Sequence, residues 1–126
     1  MTDRLERNKQ NAIAFYKTAF DGEPRKAAEQ YVGGRYIQHN PALGDGVESF
    51  IAYFEKVAKE HPDRSIEFVR AIAEGDLVAL HAHIILSGNE LVGMDFFRLD
   101  ENGKVVEHQD IMTEIPEKSE NNNTMY

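Results

Sequence analysis

Residues with the chemistry of proton transfer stand where strands should run: His81, His83, Asp95, His108 and Asp110. Strands favour β-branched and aromatic side chains, so an imidazole or carboxylate within one calls for a reason. A carboxyl among imidazoles on a half-buried face supplies one. Burial raises the carboxyl pKa and a protonated imidazole lowers it, and the balance can bring a base towards neutrality. The bland alternative is a set of hydrogen bonds across a solvent-facing sheet, and it weakens as more of these residues share one face. His39 and Asn40 precede Pro41, where a short strand gives way to a loop, a common place for a pocket mouth.

Three β-rich runs must position these groups, and they span Leu77 to Ile115. Ser87-Gly88-Asn89-Glu90 and Asp100-Glu101-Asn102-Gly103 separate them, each with the Gly and Asn that tight turns favour. Alternation puts His81 and His83 on one face of the first run, Asp95 and Phe97 on one face of the second, and His108 and Asp110 on one face of the third. A turn centred near Asn89 sets His83 opposite Asp95. A two-residue turn at Asn102-Gly103 sets Asp95 opposite Asp110 and Phe97 opposite His108. Under those registers all the polar groups meet on one face. A three-residue turn with a bulge would instead displace Asp110, and both registers stay open.

The remainder supplies the covering layer. Apolar residues recur at helical spacing from about Arg4 to Phe20, a short helix follows from Pro24 to Val32, and Arg35 to Asn40 reads as extended. Val47, Phe50, Ile51, Phe54, Val57 and Ala58 form an amphipathic stripe that ends before Pro62, with Asp45 placed to cap it. Ser65 to Glu74 is a further strand. Helices followed by a long antiparallel sheet make an α+β domain, expected over residues 1–116, in which a curved sheet leaves a pocket beneath the helices. Residues 117–126 are polar and aperiodic and are expected to be disordered.

Composition narrows the partners. The 126 residues suit one domain with one core. A formal charge of −8 disfavours nucleic acid and anionic membrane. No apolar run approaches the ~20 residues of a membrane span. The chain has no cysteine, which removes thiolate chemistry and suits a cytoplasmic setting. His81-Ala-His83 has the spacing of a metal-binding pair on a strand, but Glu90 falls in a turn and completes no ligand set, so no metal is expected. Apolar alternation in strands 65–74 and 77–86 leaves more apolar surface than one helix layer covers, which points to a homodimer through the outer sheet face.

Several segments together resemble a SnoaL-like polyketide cyclase of the nuclear-transport-factor-2-like superfamily. They are Tyr36-Ile-Gln-His-Asn-Pro41, Ala73-Glu-Gly-Asp-Leu-Val78 with His81-Ala-His83, Met94-Asp-Phe-Phe-Arg98, and Gly103-Lys-Val-Val-Glu-His-Gln-Asp110. The resemblance runs from about Asn8 to Pro116. It implies a cone-shaped α+β barrel with three N-terminal helices on a curved antiparallel sheet, and cofactor-free, metal-free aldol-type ring closure or isomerisation of a small carbonyl compound. Asp95 matches the strand aspartate and becomes the expected acid/base, with His81 or His83 as catalytic partners. His39, Asn40, Phe97, His108 and Asp110 are the expected substrate contacts. Gln109 stands where relatives carry Trp, a change expected to alter packing or an interface. The alternative function is non-catalytic binding of a small apolar ligand, or dimerisation alone.

Overall fold

A computed structural model describes residues 2–126. Helices α1 (Thr2–Phe20), α2 (Pro24–Tyr31) and α3 (Val47–Glu60) alternate with and precede strands β1 (Val32–Gln38), β2 (Arg64–Glu74), β3 (Leu77–Leu86), β4 (Asn89–Leu99) and β5 (Val105–Glu114). One sheet holds all the strands in the order β1-β5-β4-β3-β2. The three helices pack on its concave face, the α+β arrangement that the order of segments predicts. Strand β1 joins the edge in parallel to β5, and every other pair is antiparallel. No helix among the described residues is long and apolar enough to cross a membrane.

Aromatic packing holds helices to sheet. Phe15 stacks on Phe50 of α3 at 4.8 Å and meets Phe97 of β4 edge-on at 5.9 Å. Tyr16 meets Phe68 of β2 edge-on at 5.6 Å. Each such contact adds about 0.5–1.5 kcal/mol beyond the area it buries. Helix α3 starts differently from expectation. Gly46 occupies its N-cap at φ 86°, and Asp45 instead accepts the Gln38 backbone N–H at 2.9 Å, pinning the β1–α3 loop to the end of β1.

The β3–β4 hairpin turns on Ser87 and Gly88, with φ of 51° and 86°, the two positive values of a type I′ turn. Leu86 therefore pairs with Asn89, and Asp95 lies opposite Leu80. The expected turn near Asn89 would have put His83 there. The offset is odd, and strands have a period of two, so it moves His81 and His83 to the convex face. The expectation that all five polar residues share one face is corrected here.

At the β4–β5 hairpin the longer turn forms. The Gly103 N–H donates to the Asp100 carbonyl at 2.9 Å and the Asp100 N–H to the Lys104 carbonyl at 2.8 Å, with Gly103 at φ 75°. Leu99 then pairs with Val105 while Arg98 pairs with Glu107, leaving Val106 as an extra residue. That second bulge cancels the offset of the first. Asp95 faces Asp110 and Phe97 faces His108, as the shorter turn would have arranged.

Beyond β5 the chain has no regular secondary structure. Its last residues return to the convex face, where the Met125 carbonyl accepts a hydrogen bond from His81 Nε2 at 2.9 Å and the Tyr126 ring stacks on His83 at 3.7 Å.

Candidate active site

Alternation along three neighbouring strands builds the site. Tyr36 and Gln38 on β1, with Asn40 beyond its end, line the pocket together with Asp95 and Phe97 on β4 and His108 and Asp110 on β5. The register sets Gln38 beside His108, His108 beside Phe97, and Asp110 beside Asp95. The rest of the wall is largely aromatic, including Phe15, Tyr16, Phe50, Tyr53 and Phe54. The cavity volume is about 50 Å³. One water needs roughly 10–15 Å³ on this scale, so the space suits a few small groups and not a large rigid ring system.

One hydrogen-bonded line runs through the polar end. His108 Nε2 lies 2.7 Å from Asp95 Oδ2, and its Nδ1 lies 2.9 Å from Gln38 Oε1. The same Gln38 oxygen accepts the Asn40 backbone N–H at 3.0 Å, while the Gln38 amide nitrogen donates to the Tyr36 hydroxyl at 3.3 Å. The Asn40 side-chain amide donates to Asp110 Oδ1 at 2.8 Å. Phe97 stacks on the imidazole at 4.8 Å and fixes its plane. Asp95 is 1% exposed, and its second oxygen, Oδ1, has no hydrogen-bond partner among the described residues. A buried carboxylate oxygen left unpaired is costly, and such groups collect where function requires them.

Burial is the main cause that raises the Asp95 pKa; His108 opposes the shift and the neighbouring Asp110 adds to it. Burial also pushes the Tyr16 hydroxyl well above its ordinary value, reinforced by Asp95 and Asp110, and Tyr36 and Tyr53 shift the same way. These hydroxyls keep their protons and so can serve as donors. Among the described residues no Lys or Arg lines the pocket. A neutral substrate fits such a wall better than an anion.

The other expected site residues lie elsewhere. His81 and His83 face outward, where Arg70 Nη1 donates to His81 Nδ1 at 3.1 Å and His83 Nε2 donates to Glu90 at 2.8 Å. His39 also points away from the pocket and donates to Glu107 at 2.8 Å, next to Arg98 and Asp76. The His39–Asn40 pair is thus split across the strand, and only Asn40 reaches the pocket. Gln38 was absent from the sequence-based candidates. Its signal was the run Tyr36, Gln38, Asn40, a period of two carried into the loop. Asp95, His108 and Asp110 offer possible ligand atoms within 4.8 Å of one another. Both imidazole nitrogens already make hydrogen bonds inside the protein, so a cation there would have to displace the Asp95–His108 contact.

Comparison with known proteins places the chain. Residues 12–108 match the SnoaL-like domain, and the chain belongs to that family. Its fold is similar to a protein from Bacillus cereus ATCC 10987 provisionally assigned as a polyketide cyclase (TM-score 0.75, 17% identity, 84% of this chain and 74% of that one). It is similar too to a provisionally assigned ketosteroid isomerase from Kribbella flavida DSM 17836 (0.73, 19%, 93% and 85%). A third is AclR from Streptomyces galilaeus, provisionally assigned as a hydroxylase (0.72, 17%, 86% and 90%). At these identities the likeness establishes the fold, and the three assignments differ in chemistry. No curated protein sequence matches the chain.

Proposed function

We propose that the protein is a cofactor-independent enzyme that removes a proton next to the carbonyl of a small, uncharged substrate, in an aldol-type cyclisation or an isomerisation. The observation that carries this reading is Asp95 Oδ1: buried, unpartnered, and set in an aromatic cavity beside an imidazole. Burial raises the carboxyl pKa towards the range where a general base works best. In the reaction Oδ1 takes the α-proton, the C–H bond breaks, and its electron pair moves onto the carbonyl oxygen. The Tyr16 or Tyr53 hydroxyl donates to the resulting oxyanion, in a pocket whose wall is largely aromatic. The enolate carbon then attacks a second carbonyl carbon and Asp95 returns its proton to the new alkoxide, or Asp95 returns it to a different carbon of the same skeleton. His108 keeps its hydrogen bond to Oδ2 throughout, which leaves Oδ1 as the atom that exchanges protons with substrate.

A screen of small enolisable ketones and aldehydes against the wild type tests the reading, with solvent deuterium exchange at the α-carbon as the readout. Asp95→Asn should lower the rate by ~10²–10⁴-fold, the usual scale of general acid–base catalysis. His81→Ala and His83→Ala should leave it unchanged. Full exchange with Asp95→Asn would remove Asp95 as the base. Ligand binding without any exchange would make the domain a binding module.

The same reading includes a homodimer. Ile72, Met94, Phe96 and Ile111 are exposed on the convex face, with Ile111 at 78%. Gln109, where relatives carry Trp, lies on that face opposite Phe96. A second copy covering this surface would bury the exposed apolar groups by an isologous contact.

A further inference from the structure

The orientation of one amide determines where a proton sits in the pocket. The Asn40 backbone N–H can only donate, so the Gln38 atom facing it at 3.0 Å must be the carbonyl oxygen. That assignment agrees with the far side of the amide, whose NH₂ group meets the Tyr36 hydroxyl. The same oxygen lies 2.9 Å from His108 Nδ1. An oxygen that carries no hydrogen cannot donate, so Nδ1 must carry one. A neutral imidazole has a single N–H, and here it is spent on Gln38. His108 Nε2 then presents a lone pair to Asp95 Oδ2 at 2.7 Å. Two acceptors at that distance repel unless a proton lies between them. It belongs either to Asp95, as a neutral acid beside a neutral imidazole, or to His108, as imidazolium beside a carboxylate. Both forms are electrically neutral as a pair.

We infer that Gln38 is a positioning residue: it holds His108 as the Nδ1–H tautomer and thereby makes the Asp95–His108 pair store one shared proton. The groups facing this pair are the Asp110 carboxyl, the Tyr16, Tyr36 and Tyr53 hydroxyls and the Asn40 amide, and no lysine or arginine among them supplies a competing charge. His81 provides an internal contrast. Arg70 donates to its Nδ1 and its Nε2 donates to the Met125 carbonyl, which makes His81 the opposite tautomer. The role of the shared proton in turnover rests on Asp95 being the base; the tautomer itself does not.

NMR of the imidazole nitrogens reads the tautomer directly, in the full-length protein and without substrate. In the wild type, His108 Nδ1 should give a pyrrole-type signal across the whole pH range of the folded protein, while His81 shows it at Nε2. Gln38→Leu removes the acceptor, and neutral His108 should switch to the Nε2–H form, donating to the Asp95 carboxylate. Gln38→Glu keeps an acceptor for both the Asn40 N–H and the imidazole, and should keep Nδ1 protonated. His108→Gln identifies the resonances by their loss. A pyridine-type Nδ1 in neutral wild-type His108, or an unchanged tautomer in Gln38→Leu, would overturn the inference. Should Gln38→Leu not fold, the wild type and Gln38→Glu still decide it. A failed substrate screen leaves this result standing, and a wrong tautomer leaves the Asp95 kinetics standing, so the two readings fail separately.

Discussion

Asp95→Asn should make the protein more stable at neutral pH while it removes activity. The folded-state pKa of Asp95 is raised, chiefly by burial, so the native state holds the proton more tightly than the unfolded chain. Such a group costs nothing below its unfolded pKa. Stability is lost as pH rises through the interval up to the folded pKa, because there the unfolded state binds fewer protons. Asparagine never ionises and escapes that loss. Its amide can donate to the His108 Nε2 lone pair, so the 2.7 Å contact survives, while the unpartnered Oδ1 becomes a neutral carbonyl oxygen. A buried unsatisfied group costs ~1–3 kcal/mol, and more when charged. Because the neutral oxygen is still unpaired, the gain should lie near the lower end, at about 1 kcal/mol. For a chain between the usual small and medium size classes that corresponds to roughly 3–5 °C in Tm. Thermal unfolding followed by circular dichroism should show this gain at pH 7 and its disappearance in acid, where wild-type Asp95 is protonated too. The substitution removes only the carboxyl that shares a proton with His108, so the difference between the two proteins reports that pair. A variant several degrees less stable at pH 7 would show that the carboxylate is a structural ion-pair partner and would sink the argument.

Three further outcomes follow from the geometry. Ile111→Glu should convert a dimer to monomers in light scattering at micromolar concentration, because it puts a charge at the most exposed apolar position of the convex face; a wild type that is already monomeric would refute the dimer. Gly103→Ala should cost about 1–3 kcal/mol in chemical denaturation, since φ is 75° and the added methyl would sit 2.8 Å from Arg7 Nε; an unchanged midpoint would mean the hairpin tip relaxes freely. Asn40→Ala removes the donor to Asp110 and should cost on the order of 1 kcal/mol, with little change in the Nδ1–H signal of His108; loss of that signal would mean the side chain of Asn40, not its backbone, holds Gln38 in place.

Much of this molecule was legible in the sequence, for identifiable reasons. Helix α3 announced itself because its apolar stripe repeats at helical spacing and Pro62 sits just beyond it. Asp95 stood out because a carboxylate in an aromatic strand is rare, and it is one of the most deeply buried side chains. What failed was parity. Nothing local told the β3–β4 turn to pivot on Ser87 rather than Asn89, because Ser rarely adopts positive φ and Asn often does. The choice is settled by the whole pairing, which buries Val78, Leu80, Ala82 and Ile84 only in the observed register. That cost the reading both histidines of β3. The β4–β5 register came out as the simpler turn predicts although its premise did not, since the Val106 bulge undid an offset no residue pattern revealed. Gln38 was missed because the period-two run through Tyr36 and Asn40 gives its face but not its role, which depends on the neighbours that fix which end of the amide is oxygen.

The tip of the β4–β5 hairpin is tied to α1: the Asn11 side chain donates to the Gly103 carbonyl at 2.8 Å, and a side chain at Gly103 would press on Arg7 and Asn11. Those strands carry Asp95, His108 and Asp110, and α1 carries Phe15 and Tyr16 on the opposite wall. The polar end of the pocket and its aromatic floor are therefore tied to each other at the hairpin tip. Residues 41–46 lead into α3 through Gly46 at φ 86°, and Asp45 holds them to the end of β1 through the Gln38 N–H. On the reading of Asp95 as the base, substitutions at Leu43 and Val57, which line the pocket away from the polar end, should change the size of molecule accepted and leave the reacting geometry constant.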